Sequence, residues 1–292
     1  MQMSHTPYAI ERVVLVVLDG LRPDAIDRFA LPNIAAVLAA GAWTRTGRTV
    51  EPSITVAAMA SLLTGVSPAR HGVRTEGFRL SRRREPLDPL PLVLAEAGYP
   101  CSAFLSALPA IHRVLVRRVL RRLGPVSAQF TGRCAEDILA AAGGTLRAQR
   151  RGLVLLHWPD ADDAGHDHGW MSPRYAAGAR ALDGAVGELT RQLDLAHDPT
   201  TLLVLTADHG GGGHAERGHE SDHPADYTIP TILAGARIRP GPLLPPVSLL
   251  DIPATVLWSL GVPLPESYAG RPLREAFAGF HADGAADAAA AA

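Results

Sequence analysis

An α/β fold with a mostly parallel central sheet, helices on both faces, is predicted by three features of the chain. Short, uniformly apolar runs at 12–18, 152–158 and 202–206 have the pattern of strands buried on both faces. They alternate with segments of helical periodicity, as βαβ units require, and no internal repeat interrupts the alternation. Each run also ends in acids (Asp19, the Asp160–Asp163 cluster, Asp208), and in such sheets ligands gather beyond the carboxyl ends of the strands.

The 292 residues suit one large domain, 1–281, followed by a low-complexity tail, 282–292. Hydrophobic content of 47% with 20% charged residues marks a globular chain, not a disordered one. A net charge of −1 gives no reason to expect a nucleic-acid polymer as partner. Lysine is absent, which with the abundant Ala, Gly and Pro points to a GC-biased genome and not to function. Cys101 and Cys134 form neither a disulfide framework nor a ligand spacing, so reduced, buried thiols are expected. The first twenty residues lack the pattern of a secretory leader, and the apolar run 13–18 is too short to span a bilayer. The expectation is a cytoplasmic protein without stable membrane insertion; nothing in the sequence speaks to its oligomeric state.

Taken in order, 12–18 is a central strand with Asp19-Gly20 at its tip, and a loop over 21–27 leads to a helix at 32–40 that Gly41 stops. Residues 44–50 are β-prone. The small and apolar residues of 56–63 suit a buried helix, and 68–72 turns the chain. A helix is expected at 89–97, a short strand at 101–105. Residues 109–123 form a basic amphipathic helix. Val114, Leu115, Val119, Leu120 and Leu123 make its apolar stripe; Arg113, Arg117, Arg118, Arg121 and Arg122 lie largely elsewhere. A surface helix with a solvated face is the plain reading; the functional one is a lid, or a wall attracting an anionic substrate or membrane surface. Helix 134–147, strand 152–158, a long helix at 173–193 and strand 202–206 follow. The last elements are a strand at 228–233 and helices at 248–260 and 271–278.

The stretch 201–223 carries the chemistry. Its strand delivers Asp208 and His209 into four glycines, with His214, His219 and His223 close behind. Carboxylates and neutral imidazoles suit zinc or a similar divalent ion, and glycines let a backbone wrap closely. Asp19, Asp208 and His209 make one three-ligand group. The acids after 158, with His166 and a histidine of the glycine loop, make a second. Each group leaves an open position, as a catalytic site requires. Two such ions about 4 Å apart can clamp the attacking and leaving oxygens of a phosphoryl group. Thr55, just before helix 56–63, is the candidate nucleophile, since the free N–H groups of a helix start receive phosphate.

The order of VVLVVLDGLRPD, LPNIAAVLAAGA, EPSITVAAMASLLTGVSPARHGV, PDADDAGHDHG and TADHGGGGHAERGHESD, with YTIPTILAG after it, resembles the alkaline phosphatase superfamily. Within it, the chain is similar to the type I phosphodiesterase/nucleotide pyrophosphatase branch over residues 12 to 260. The resemblance implies a hydrolase with two divalent ions, zinc first and manganese second, working on a small phosphorylated substrate through a covalent phospho-threonine at Thr55. It implies that Asp19, Asp208 and His209 hold the metal that activates Thr55. It selects Asp162 over Asp160 and Asp163, and His219 over His214 and His223, to join His166 at the other metal.

The chain also departs from its relatives. Nucleotide pyrophosphatases carry an asparagine three residues after the threonine, where this chain has Ala58, so a backbone N–H such as that of Val56 must serve as donor. The sulfatase pattern is missing around Thr55. Arg22 is a candidate for a substrate anion, against a plain surface ion pair. His71 suits a structural role, His157 the interior of its strand, and His168 the cleft. Phosphodiester or pyrophosphate bonds are the expected substrates. The alternatives are a phosphomonoesterase or phosphonate hydrolase, and a non-catalytic module stabilised by metal.

Overall fold

A computed structural model describes residues 10–75, 86–107, 116–117 and 120–280. Among them, eight strands form one sheet: β1 (Arg12–Leu18), β2 (Ala42–Arg48), β3 (Cys101–Leu105), β4 (Ser127–Phe130), β5 (Gly152–Trp158), β6 (Thr201–Thr206), β7 (Thr228–Ala234) and β8 (Gly241–Pro242). Their spatial order is β4-β3-β5-β1-β6-β7-β2-β8. Neighbours run parallel except that β7 opposes both β6 and β2. This is the mostly parallel, helix-covered sheet that the sequence predicts.

Every residue of β1, β5 and β6 is buried, which explains their largely apolar composition, interrupted by Arg12, His157 and the two threonines of β6: helices cover both faces and leave no side for polar alternation. Register then positions the chemistry. Val17 lies opposite both His157 and Thr206, so the three strands end level and Asp19 and Asp208 leave the sheet side by side. Because β7 reverses direction, β2 points the same way as β6 and ends at the same edge. There Thr49 N–H donates to Tyr227 O at 3.0 Å and its hydroxyl to Asp208 O. The chain is thereby led to the start of helix Thr55–Thr64 at the edge where the acids emerge.

Helix Pro173–Leu193 packs a stripe containing Tyr175, Ala179, Leu182, Val186 and Leu189 against the core. Ser172 caps it by accepting from Tyr175 N–H at 3.2 Å. Buried Asp183 on that stripe accepts from Ile34 N–H at 2.8 Å and from Asn33 Nδ2 at 2.9 Å, so one helix caps the start of another, Pro32–Ala40.

Some expectations need correction. Residues 160–168, for which the sequence predicts ligands but no element, form a helix, Asp160–His168. Edge strands β4 and β8 and the short helix Ala25–Arg28 are additions. The helix expected at 248–260 spans Asp251–Ser259, and that at 271–278 shrinks to a single 3₁₀ turn, Arg274–Ala276. Cys101 is buried, but Cys134 is only half-buried. Much of the basic segment 109–123 lies outside the described residues; where it is described, Leu120 and Leu123 are buried and Arg121 and Arg122 exposed. No described helix is long and apolar enough to cross a membrane.

Candidate metal centre and nucleophile

Four parts of the chain meet at the strand tips: the turn after β1, helix Asp160–His168 after β5, the glycine loop after β6, and the start of helix Thr55–Thr64. The turn after β1 needs Gly20. Its φ is +66°, and a Cβ there would come within 2.9 Å of the Asp162 backbone. The carbonyl of Gly20 accepts from Tyr175 Oη–H at 2.9 Å and Trp170 Nε1–H at 3.1 Å, and its N–H donates to Asp208 Oδ1 at 3.3 Å.

His209 lies at the centre, fully buried. Its Nε2 is 3.3 Å from Asp19 Oδ1, 3.5 Å from Asp208 Oδ2, 3.8 Å from Asp162 Oδ1 and 3.1 Å from Thr55 Oγ1. Asp162 and His166, one helical turn apart, bring Oδ1 and Nε2 to 3.5 Å. His219 Nε2 lies 3.2 Å from His166 Nε2 and 4.0 Å from Asp162 Oδ1. The arrangement thus brings together Thr55 and all six residues that the sequence singled out as ligands.

The polar atoms lack partners that protein alone could supply. Each of the three imidazoles turns Nδ1 to a backbone carbonyl: His209 to Gly210 at 2.8 Å, His219 to Ser53 at 2.6 Å and His166 to Arg217 at 3.0 Å. A carbonyl only accepts, so Nδ1 carries the proton, and neutral rings at 166 and 219 would face each other with lone pairs. Asp19 Oδ1, Asp162 Oδ1 and Asp208 Oδ2 are buried without a hydrogen-bond donor. A buried, unpaired carboxylate is costly, and a cation among these atoms removes the cost. Two sets of mutually close ligand atoms fit one: Asp19, Asp208 and His209, and Asp162, His209 and His219. His166, half-exposed, stands at the rim of the second.

The charges respond accordingly. Burial, with the neighbouring Asp208 and Asp162 carboxylates, holds Asp19 well above the usual carboxylate range. Burial pushes Asp162 up to about 6 against the pull of His209 and His166. Burial would raise Asp208 too, but His209 and His157 draw it below its ordinary value. Burial and the adjacent His209 lower His219 to about 4, leaving it neutral and able to ligate at neutral pH.

The rival histidines stay outside. His214 Nε2 pairs with exposed Asp222 at 3.0 Å, and His223 Nδ1 accepts from Ala225 N–H at 3.1 Å. His168 is exposed. His71 bonds Ser61 Oγ at 2.9 Å in the interior. Arg22 is engaged by Asp24 through both Nε (2.9 Å) and Nη2 (2.6 Å), with Nη1 3.2 Å from Gly211 O, so its fork is turned to these partners and not to the cluster. Val56 is the second residue of its helix, where an N–H has no intrahelical acceptor. Ala58 is fully buried and offers no side-chain donor.

The sequence reading gave His157 no part in the site. It lies in β5 with Nε2 3.3 Å from Asp19 Oδ2, on the far side of the carboxylate from His209. The signal available was a histidine at the penultimate position of a fully apolar strand. The role of Asp226 is also visible only in three dimensions. Buried, it accepts from Gly213 N–H at 2.9 Å and Ser221 N–H at 3.0 Å and so pins both ends of the His219 loop.

The profile of the type I phosphodiesterase/nucleotide pyrophosphatase family matches residues 13–88 and 99–230. Human ectonucleotide pyrophosphatase/phosphodiesterase family member 5 is 26% identical over 219 residues, 68% of this chain and 45% of that protein. The catalytic subunit of human GPI ethanolamine phosphate transferase 3 is 26% identical over 132 residues, 44% of this chain and 12% of that protein. This chain spans less than half the length of the curated relatives it matches. In fold it is similar to murine ectonucleotide pyrophosphatase/phosphodiesterase 5, solved as an inactive threonine-to-alanine variant with AMP. The TM-score is 0.71 at 15% identity, covering 92% of this chain and 100% of that one. The phosphonate monoester hydrolase of Silicibacter pomeroyi gives a TM-score of 0.66 at 17% identity, covering 94% and 77%. The chain belongs to the type I phosphodiesterase/nucleotide pyrophosphatase family, on the fold of the alkaline phosphatase superfamily.

Proposed function

We propose that this protein hydrolyses phosphate esters, phosphodiester or pyrophosphate bonds first among them, with Thr55 as nucleophile. The observation that carries the reading is the Thr55 hydroxyl 3.1 Å from His209 Nε2, beside carboxylate oxygens that have no donor. Asp19, Asp208 and His209 would hold one divalent ion and Asp162, His166 and His219 a second, zinc by donor chemistry and manganese as the alternative. Such ions, when bound, supply Lewis-acid charge that lowers a hydroxyl pKa and stabilises a leaving oxygen.

The chain's own residues contribute position. Thr55, at the first turn of its helix, holds Oγ beside His209 at the strand tips, and the Val56 N–H, without an intrahelical acceptor, would serve as donor for a phosphate oxygen. In the reaction the Thr55 oxygen bonds to phosphorus as the bond to the leaving oxygen breaks; the threonine proton passes to solvent, and the departing alkoxide takes a proton from solvent to leave as the alcohol. Water then cleaves the Thr55–phosphorus bond, and the hydroxyl takes back a proton. With Ala58 offering no side-chain donor, a non-bridging phosphate oxygen would rely on backbone N–H groups such as that of Val56.

The test is turnover of bis-p-nitrophenyl phosphate, p-nitrophenyl phosphate and a phosphonate ester, with and without chelator. Chelation should abolish turnover and zinc or manganese restore it. Wild-type turnover by Thr55→Ala would sink the covalent mechanism, while the ranking of the three esters selects the bond cleaved.

A further inference from the structure

Trp170 supplies no ligand, yet it touches each element that does. It lies between helices Asp160–His168 and Pro173–Leu193 and is 5% exposed. Its Nε1–H donates to Gly20 O at 3.1 Å, one residue from Asp19. Its ring meets His166 edge-on at 5.1 Å and His219 at 5.7 Å. Its backbone N–H donates to Glu216 O at 2.9 Å, in the loop that carries His219.

The indole sits in a socket of glycines. A Cβ at Gly165 would stand 2.6 Å from the ring, one at Gly211 would overlap it, and one at Gly212 would stand 2.5 Å from Trp170 Cβ. Gly165 is inside a helix, where alanine would be the more stable residue. The helix forgoes that stability at the turn between Asp162 and His166, where the ring packs.

We infer that Trp170 is a positioning residue. It fixes His166 and His219 relative to each other and to the Asp19–Gly20 turn, and so sets the affinity of the Asp162, His166 and His219 group for its cation. The inference rests on the metal reading above. Its rival is an indole that only fills the core and stabilises the fold without bearing on the imidazoles.

The two separate in a zinc titration of metal-free wild type, Trp170→Phe and Trp170→Ala. Uptake is measured in competition with a chromogenic chelator, with tryptophan emission followed and the Tm of each metal-free protein recorded. Wild type should take two equivalents. In Trp170→Ala one equivalent should weaken about 10- to 100-fold, the range for groups that orient ligands, and the other by less than about threefold. Trp170→Phe keeps a ring, loses the bond to Gly20, and should fall between. Zinc should change wild-type emission, because His166 lies edge-on to the indole, and Trp170→Phe should lose that change.

Equal affinities for both equivalents in all three proteins, whatever their Tm, overturn the inference. If Trp170→Ala does not fold, Trp170→Phe decides: wild-type affinity for both equivalents overturns the inference. Absence of zinc uptake by wild type overturns the metal reading and this inference together.

Discussion

The rings of His209 and His219 stack with centroids 3.8 Å apart and planes 12° from parallel, although one follows a strand and the other a loop ten residues on. Each Nδ1 is held by a different carbonyl, so both Nε2 atoms point toward Asp162 Oδ1, at 3.8 and 4.0 Å. His209 therefore stands between the two candidate cation sites and contributes to both sets, while Asp162 belongs to the one it shares with His219.

Replacing His219 should accordingly be far more damaging than replacing its neighbours. His219→Ala should lower kcat/KM by more than the about 10- to 100-fold lost with a group that only supports a ligand. His214→Ala and His223→Ala should stay within about twofold. Steady-state kinetics with the preferred ester decides, and equal losses for all three would remove His219 from the site.

Metal removal should expose two opposed pH dependences of stability, one from Asp162 and one from His219. The folded Asp162 value, about 6, lies above the unfolded value of ~3.9, so the native state binds this proton more tightly. The contribution is full below about pH 4 and is lost as pH rises through about 6. His219, lowered to about 4, has the opposite sign: its contribution is full above about pH 6.5 and is lost as pH falls toward 4. Urea melts of chelated His219→Ala, where this opposing contribution is removed, should lose on the order of 2 kcal/mol between pH 4 and 7, more than chelated wild type loses. Zinc should flatten the slope. Asp19→Asn, by relieving like charge, should raise the metal-free Tm while abolishing turnover.

Elsewhere the sign reverses. Burial works against ionisation of Asp198, but hydrogen bonds from Thr200 and Thr201 and the charge of Arg12 bring it down to about 2. Its support of the fold is present above ~pH 4 and disappears as pH falls toward 2. Asp198→Asn should cost about 1 kcal/mol at pH 7, after allowance for screening at a partly solvated pair, and nothing at pH 2. Arg12, 1% exposed, keeps Leu146 O at 2.6 Å and Thr201 Oγ1 at 2.9 Å as acceptors, which limits the loss. Denaturant midpoints at the two pH values give the comparison.

The exposed Arg121 and Arg122, beside buried Leu120 and Leu123, suit a solvated helix face. Arg121→Gln with Arg122→Gln should leave kcat/KM for an anionic diester within about twofold at physiological salt, where screening is short-ranged. A fivefold or larger fall, recovered by shortening the substrate's anionic part, would restore the lid reading.

What the sequence discloses follows from how each residue earns its place. Strands β1, β3 and β5 are legible to the residue because burial on both faces leaves each a single polar side chain, Arg12, Ser102 and His157. Strands β4 and β8 are invisible, since Ser127–Phe130 and Gly241–Pro242 are too short to show a period. Helix Asp160–His168 has almost no apolar stripe; it is held by neighbours, with Asp160 Oδ2 accepting from Ala135 N–H at 2.8 Å. Asp19, Asp208 and His209 could be read because strand tips announce them. His157 and Trp170 could not, since the groups they touch include residues more than a hundred positions away in the chain.

The seating of β1 between β5 and β6 also governs the order of events during synthesis. The first strand made waits for partners about 140 and 190 residues later, and Gly20 and Asp208, which bond across the site, are 188 residues apart. Such long-range closure slows folding and leaves an apolar strand uncovered on the nascent chain, an invitation to chaperones. The cation cradle is thus a late product, complete only when the glycine loop has left the ribosome, and a chain cut short before β6 can close no part of it that needs Asp208 or His209.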